Sequence, residues 1–581
     1  MAVPDEPMPS SDSTMTLTEN QRDSMMTLVE TQNPKDASPE EFKADWRLKS
    51  IFAVIGLLNF VVAVDATSVS VALPTISSDF GGTATEAFWA GTSFLVASCV
   101  FQPLISLLSD IFGRKSIILL AVLSFTLGAI LAAISHGWTL MLVGRCIQGV
   151  GGGGIYTLTE ILIADLIPLR ERGKWFSIKS GSQALGTIVG PLIGGAFTES
   201  SASWRWLFWF NIPFTGLGLA LIPVFFHLER APVSVRESLA KVDYFGCVIS
   251  IASLTSFLIP ITWGGSMYSW DSWHTLVPLI LGIAGMIGFV VYEAYFPTQP
   301  LIPTYLFNNL TICLSYLGIF LHGLVLWALV YYLPLYYEGV LAYSPVVSGL
   351  ALFPECLTIA PLAVVTGIII TKYGDYRWAL WAGWPLAVLG LGIIHLLGPH
   401  TSVPKWIFLN LPIGIACGVL FPSVQLPVQA AVNPEYITIA VTMTPFFRTL
   451  GQSVGVAIGG VVFQNRIRKQ LSNDPSLGAV ADKYASDASS LVEFIKTLPA
   501  GSSERTTLIA MYAKSLGVVW AVMCGIAAVG LLTSIFIKKY SLNQELTSKQ
   551  RVRRSKADLE SVQVPVEPKN EESYARVEVS D

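Results

Sequence analysis

The chain has 581 residues, 52% hydrophobic and only 13% charged, with a mean hydropathy of +0.58. Its 36 Lys and Arg and 40 Asp and Glu are too few to cover so much apolar surface in water. A soluble enzyme, a disordered scaffold and, at a net charge of −4, a nucleic-acid binder are all disfavoured. Lipid is the solvent implied.

Residues 1–45 hold ten acids and three bases among Ser, Thr and Pro, so this head is expected to be disordered and cytosolic. No basic segment leads into a short apolar run there, and no cleaved signal peptide is expected. Apolar runs then follow at about 51–73, 88–108, 116–135, 139–163, 176–198, 205–227, 243–263 and 276–296. Six more lie at about 311–333, 347–371, 378–398, 405–427, 438–463 and 515–537, each long enough for a bilayer of ~30 Å. The reading is an all-α polytopic membrane protein with fourteen transmembrane helices. Pro354, Pro361, Pro412 and Pro422 interrupt two of the runs, which membrane helices tolerate where neighbours satisfy the freed carbonyls. A polar stretch at about 465–510 and a polar tail at 541–581 read as a long outer loop and a disordered cytosolic tail.

Alternate connections carry Arg114 and Lys115; Arg170, Arg172 and Lys174; Arg230, Arg236 and Lys241; and Lys372 and Arg377. That asymmetry puts both termini in the cytosol. Arg205, Lys405 and the trio Arg466, Arg468 and Lys469 run against it. Asn309-Leu-Thr311 fits an N-glycosylation acceptor but falls on the cytosolic side, so it is expected to stay unmodified. The seven cysteines are scattered singly and read as inert buried thiols; no metal cluster is formed, and no cofactor is called for. GxxxxGK[ST] is absent, which removes direct ATP hydrolysis.

After the second run comes Ser106-Leu-Leu-Ser-Asp110-Ile-Phe-Gly113-Arg114-Lys115. Gly113 permits a tight turn, and Asp110 can pair with cations at the helix ends, forming a latch that one conformation holds and another releases. The plainer reading is a basic loop obeying the orientation rule. Gly367, Thr371, Lys372, Tyr373, Gly374 and Arg377 echo it weakly in the second half, which suggests a duplicated bundle.

Taken together, these segments resemble the major facilitator superfamily, with Ser106 in place of the usual leading Gly. Asp65-Ala-Thr-Ser-Val-Ser-Val-Ala-Leu73-Pro74 is similar to the first-helix motif of its fourteen-span drug:proton antiporters. Arg145-Cys-Ile-Gln148-Gly149-Val-Gly151 resembles the motif associated with proton coupling. Gly186-Thr-Ile-Val-Gly190-Pro191-Leu-Ile-Gly194-Gly195 matches the exporter motif, and Phe447-Arg448-Thr-Leu-Gly451 looks like fungal members. The resemblance implies two six-helix bundles, 46–230 and 301–540, joined by two extra helices within 231–300. It also implies that Arg145 tunes a neighbouring proton-binding acid.

The residues also have readings of their own. Gly186, Gly190 and Gly194 recur every fourth position and make one smooth helix stripe, bent at Pro191, over which a second helix can pack or slide. Ordinary static packing is the alternative. Ionisable residues inside spans are costly and therefore candidates for function. Asp65, Arg145, Gln148 and Glu355 are the proton-coupling candidates, and Glu160 and Arg448 are further intramembrane polar candidates. A structural tether remains open for Asp65 and Arg145, and an interfacial position for Glu160. His322 reads as a packing residue. Tyr156, Phe320, Trp327, Tyr331 and Tyr332 are candidate cavity walls.

The function expected is proton-driven export of small amphipathic organic compounds by a monomer. Its partners are the organic substrate, protons and the lipid bilayer, with no nucleic acid. The plasma membrane is the expected site and the vacuolar membrane the alternative. Uptake of a nutrient or siderophore is the competing transport function, and a non-transporting sensor a remoter one.

Overall fold

The computed structural model describes residues 45–542, apart from 81–83, 200–202, 228–238, 240–241, 265–267, 298–300, 303, 434–435, 475–477, 479–480, 482–487 and 500. The head, most of the tail, and Arg230, Arg236 and Lys241 therefore lie outside the described residues.

Helices account for nearly everything that is described. In chain order they are α1 Trp46–Phe80, α2 Ala84–Phe112, α3 Arg114–Ala133, α4 Trp138–Leu166 and α5 Leu169–Glu199. Next come α6 Trp206–Trp209, α7 Asn211–Phe225, α8 Tyr244–Trp263 and α9 Trp273–Tyr295. The rest are α10 Leu310–Gly339, α11 Pro345–Ala351, α12 Phe353–Tyr373, α13 Arg377–Ile394, α14 Val403–Ser423, α15 Leu426–Ala431, α16 Ile437–Ser472, α17 Ala488–Thr497 and α18 Ser503–Ile535.

Each of the fourteen expected spans has its helix. Among the described residues, twelve spans are long and apolar enough to cross a membrane. The other two, α4 and α5, have the length at 29 and 31 residues, but glycines and charges dilute them. Helix α9 packs little, leaving Ile280, Leu281, Ile287 and Val290 exposed along its length, as expected of a lipid-facing helix.

Helices α1–α5 and α7 pack among themselves, as do α10, α12, α13, α14, α16 and α18. Helices α8 and α9 pair with each other, and α8 also touches α2 and α16. The two groups meet chiefly where α5 runs along α12 and α2 along α16.

Close packing is set by glycine. A Cβ on Gly186, Gly190 or Gly194 would strike Phe60 O, Thr67 Oγ1 or Ser68 O of α1. The same device recurs in the second group, where Gly451 and Gly455 of α16 press on the carbonyls of Phe320 and Leu324 of α10. This repetition is a firmer echo between the halves than the loop motifs. Gly195 faces away from the stripe, toward Val346. Pro191 lies inside α5 without ending it.

Several boundaries differ from expectation. Arg170, Arg172 and Lys174 lie in the first turns of α5 instead of a loop. Helices α16 and α18 run into the polar 465–510 stretch, so the connection between them spans 473–502 and contains α17. Pro354 stands just after the junction of α11 and α12, whereas Pro361, Pro412 and Pro422 lie within helices. Cys146 is exposed, unlike the buried Cys99, Cys247, Cys356 and Cys417, and all seven thiols are free. The Asn309 side chain caps α10 at Thr311 N and donates to Tyr540 Oη at 3.2 Å.

Candidate functional site: buried charges beside a cleft between the helix groups

Asp65 lies midway along α1, and Arg145 and Gln148 lie one turn apart on α4. The structure brings all three together with Asn211 at the start of α7. Arg145 Nη1 donates to Asp65 Oδ2 at 2.5 Å and to Gln148 Oε1 at 2.7 Å. Gln148 Nε2 and Asn211 Nδ2 both donate to Asp65 Oδ1, at 2.7 and 2.8 Å. Arg145 Nε reaches Ala90 O on α2 at 2.8 Å, and its guanidinium lies 4.6 Å from the Phe94 ring centroid. Three helices are thus tied through one buried carboxylate, whose charge is met by a cation and two amides, and Arg145 adds α2 as a fourth.

Glu160 was open to an interfacial reading. It is buried instead, accepting from Lys179 Nζ of α5 at 2.8 Å, with Oε2 left unpartnered. Arg448 of α16 is also buried, its guanidinium 3.9 Å from the Phe421 ring centroid; Lys179 Nζ lies 5.9 Å from the same ring. Glu160, Lys179 and Arg448 therefore form one cluster shared by the two helix groups.

Glu355 stands apart from both clusters. It is buried on α12, and neither of its carboxyl oxygens has a hydrogen-bond partner among the described residues. Next to it, Cys356 and Ile359 line a cleft with Gln183, Trp327, Phe421 and Gln452. The cleft comprises about 390 Å³, part of it open at the mouth, and is narrow enough to leave room for one or two water molecules. Of the expected aromatic walls Trp327 lines it, and Tyr156 lies beside Lys179, 5.7 Å from Nζ. His322 contacts Cys417 O at 3.1 Å and packs edge-on to Phe421.

At the α2–α3 turn Gly113 has φ 86°, a conformation that favours glycine. Arg114 is buried and pairs with Asp110, donating also to Ser109 Oγ at 2.7 Å and to Asp165 Oδ2 of α4 at 3.1 Å. Lys115 takes no part and donates to Pro223 O at 2.9 Å. Nearby, Arg172 reaches from α5 to Gln429 of α15 at 3.1 Å, a bond between the groups. The opposite end of α1 carries an exposed counterpart. Asp79 accepts from Trp204 Nε1 at 3.0 Å and from Arg205 Nη1 at 3.1 Å, and these two donors hold its carboxyl below the ordinary value.

Residues 55–456 match the family model described as Major Facilitator Superfamily. The chain belongs to that superfamily. Among curated relatives, MFS transporter L2 of a Phoma species is 47% identical over 525 residues, covering 90% of this chain and 88% of its own length. Efflux pump FUS6 of Gibberella moniliformis is 34% identical, covering 88% and 92%. The acurin A biosynthesis cluster MFS-type transporter of Aspergillus aculeatus is 34% identical, covering 87% and 92%. The solved human organic anion transporter MFSD10 (TETRAN) superposes with a TM-score of 0.53 at 15% identity, covering 84% of this chain and all of that one. The proton:xylose symporter XylE gives 0.51 at 14%, covering 85% and 97%. Both show the fold alone.

As a superfamily member the protein is a multi-pass membrane transport protein and not an enzyme. Sequence reading of this member missed Lys179, Asn211, Asp165 and Arg172 as site residues. Lys179 looked like the edge of a run taken to begin at 176; α5 begins at Leu169 and carries it well inside. Asn211 carries no signal of its own in the sequence, and only the fold brings it to Asp65, 146 residues earlier.

Proposed function

We propose that this superfamily member exports small amphipathic organic compounds, of the kind made as fungal secondary metabolites, by exchanging them for protons. The observation that carries export is the set of relatives named efflux pumps, matched along nearly their whole length. In this reading 46–230 and 301–540 act as two bundles that rock about the α5–α12 and α2–α16 contacts, with 231–300 as the linking pair. The protein works as a monomer in the plasma membrane, with both termini in the cytosol.

Proton coupling is assigned to Glu355. Asp65 already has three donors on its oxygens, so taking a proton there disturbs a built network. Glu355 has two vacant oxygens, on the helix whose Cys356 and Ile359 line the cleft, and can take and give a proton without breaking a hydrogen bond. Asp65, Arg145 and Gln148 then act as the tether that keeps α1, α4 and α7 moving as one body. Each elementary charge returning down 100 mV supplies about 2.3 kcal/mol. The Asp110–Arg114–Asp165 latch and the Arg172–Gln429 bond hold the cytosolic ends together in one half of the cycle.

The test is retention of a panel of fluorescent organic compounds in cells with and without the chain. The expected result is lower retention in expressing cells, reversed by a protonophore. Equal retention across the panel contradicts export, and export untouched by the protonophore contradicts coupling.

A further inference from the structure

We infer that the cleft between the helix groups binds cargo as an organic anion, with Arg448 as its anchor. This deepens the export reading and rests on it for the word cargo. The cluster beside the cleft sets two cations, Lys179 and Arg448, against one carboxylate, Glu160. It therefore carries an excess positive charge in a place where an unpaired charge is expensive.

Lys179 is already matched by Glu160, whereas Arg448 is not. Among the described residues its buried Nη1 has no hydrogen-bond partner, and Nη2 has only long contacts, 3.4 Å to Phe421 O and 3.5 Å to Gln425 Oε1. A guanidinium 4% exposed with free donors fits an acceptor that is negatively charged and arrives from outside.

The surroundings shape the rest of the ligand. Gln183 and Gln452 stand one turn from Lys179 and Arg448 on their own helices, and both line the cleft. Gln183 Oε1 and the Trp327 indole Nε1 are also buried without partners. Leu326, Val330 and Ile359 complete an apolar wall. A flat or aliphatic body with a carboxylate, or an equally acidic enol, meets the apolar walls, the indole donor and the unmatched cation, while Gln183 Oε1 takes a donor elsewhere on the ligand, such as a hydroxyl. The cleft as it stands has room for one or two waters only, so the helix groups must part to admit such a ligand. Arg448 and Lys179 come from opposite groups, so a bound anion also bridges the two.

Binding of three probes to the detergent-purified full chain tests this by calorimetry, without any gradient. The probes are 2-naphthylacetate, its methyl ester, and 2-naphthylmethyl-trimethylammonium. The carboxylate is expected to bind at least about tenfold tighter than the ester, and the cation weakest. Arg448→Gln should bring the carboxylate to the level of the ester while leaving the ester unchanged. Glu160→Gln removes the competing carboxylate and frees Lys179, so it should tighten carboxylate binding several-fold, a gain that misfolding cannot imitate. The proposal is overturned if the wild-type chain binds ester or cation as well as carboxylate, or binds none of the three at millimolar concentration. It is also overturned if Glu160→Gln weakens carboxylate binding. Loss of the preference with drug export intact in cells leaves export standing with a different cargo. A clear preference without export removes the transport reading instead.

Discussion

Asp65 and Glu355 are both carboxyls 1% exposed, each on a long helix of its own helix group. Their surroundings differ completely. Asp65 is met by a guanidinium and two amides from α4 and α7, while Glu355 meets no donor among the described residues. Burial alone therefore does not assign a task to an acid in a membrane protein. Saturation makes a joint, and vacancy leaves room for something that comes and goes. This chain holds both arrangements, and substitutions can separate them.

Arg145→Ala should have the largest effect, because it leaves Asp65 buried without its cation. A loss of about 3–5 kcal/mol is expected for breaking a buried pair, read as unfolding in detergent. A change under 1 kcal/mol would mean the network is not a joint. Gly190→Val comes next, since its side chain meets Thr67 and the α1 backbone. About 1–3 kcal/mol is expected from overpacking, while Gly392→Ala, which meets nothing within 4 Å, should be neutral or slightly stabilising. Equal effects at the two glycines would refute a tight α1–α5 seam.

Glu355→Gln should be nearly silent in the same unfolding assay, within about 1 kcal/mol, because no hydrogen bond is lost. Asp79→Asn should move stability least, by a few tenths of a kcal/mol, as its pair with Arg205 is solvent-exposed. The sign of its pH dependence follows from the lowered value. The contribution is complete above the ordinary 3.8 and is lost as pH falls through the lower folded value. Loosening of this end of α1 between pH 7 and 5 would point to another group.

Much of this contrast was legible in the sequence and some was not. Apolar runs of bilayer length placed a helix at all fourteen expected positions, and twelve of these helices are long and apolar enough to cross a membrane. Asp65, Arg145 and Gln148 were visible as polar residues inside spans, and Gly186, Gly190 and Gly194 as a period-four stripe. Partners were not visible. Lys179 with Glu160, Asn211 with Asp65, and the stacking of Arg448 on Phe421 depend on which helices become neighbours, and hydropathy carries no information about that. The isolation of Glu355 is hidden for the same reason, because having no partner is a property of the packed state.

Substrate-induced proton movement tests the division most directly. Purified chain in liposomes holding a pH-sensitive dye is challenged with an exported compound, in wild-type and Glu355→Gln forms, alongside exchange of labelled for unlabelled compound. The expected result is that Glu355→Gln abolishes proton movement and keeps exchange. Undiminished proton movement in Glu355→Gln would contradict the assignment of the proton to the vacant acid.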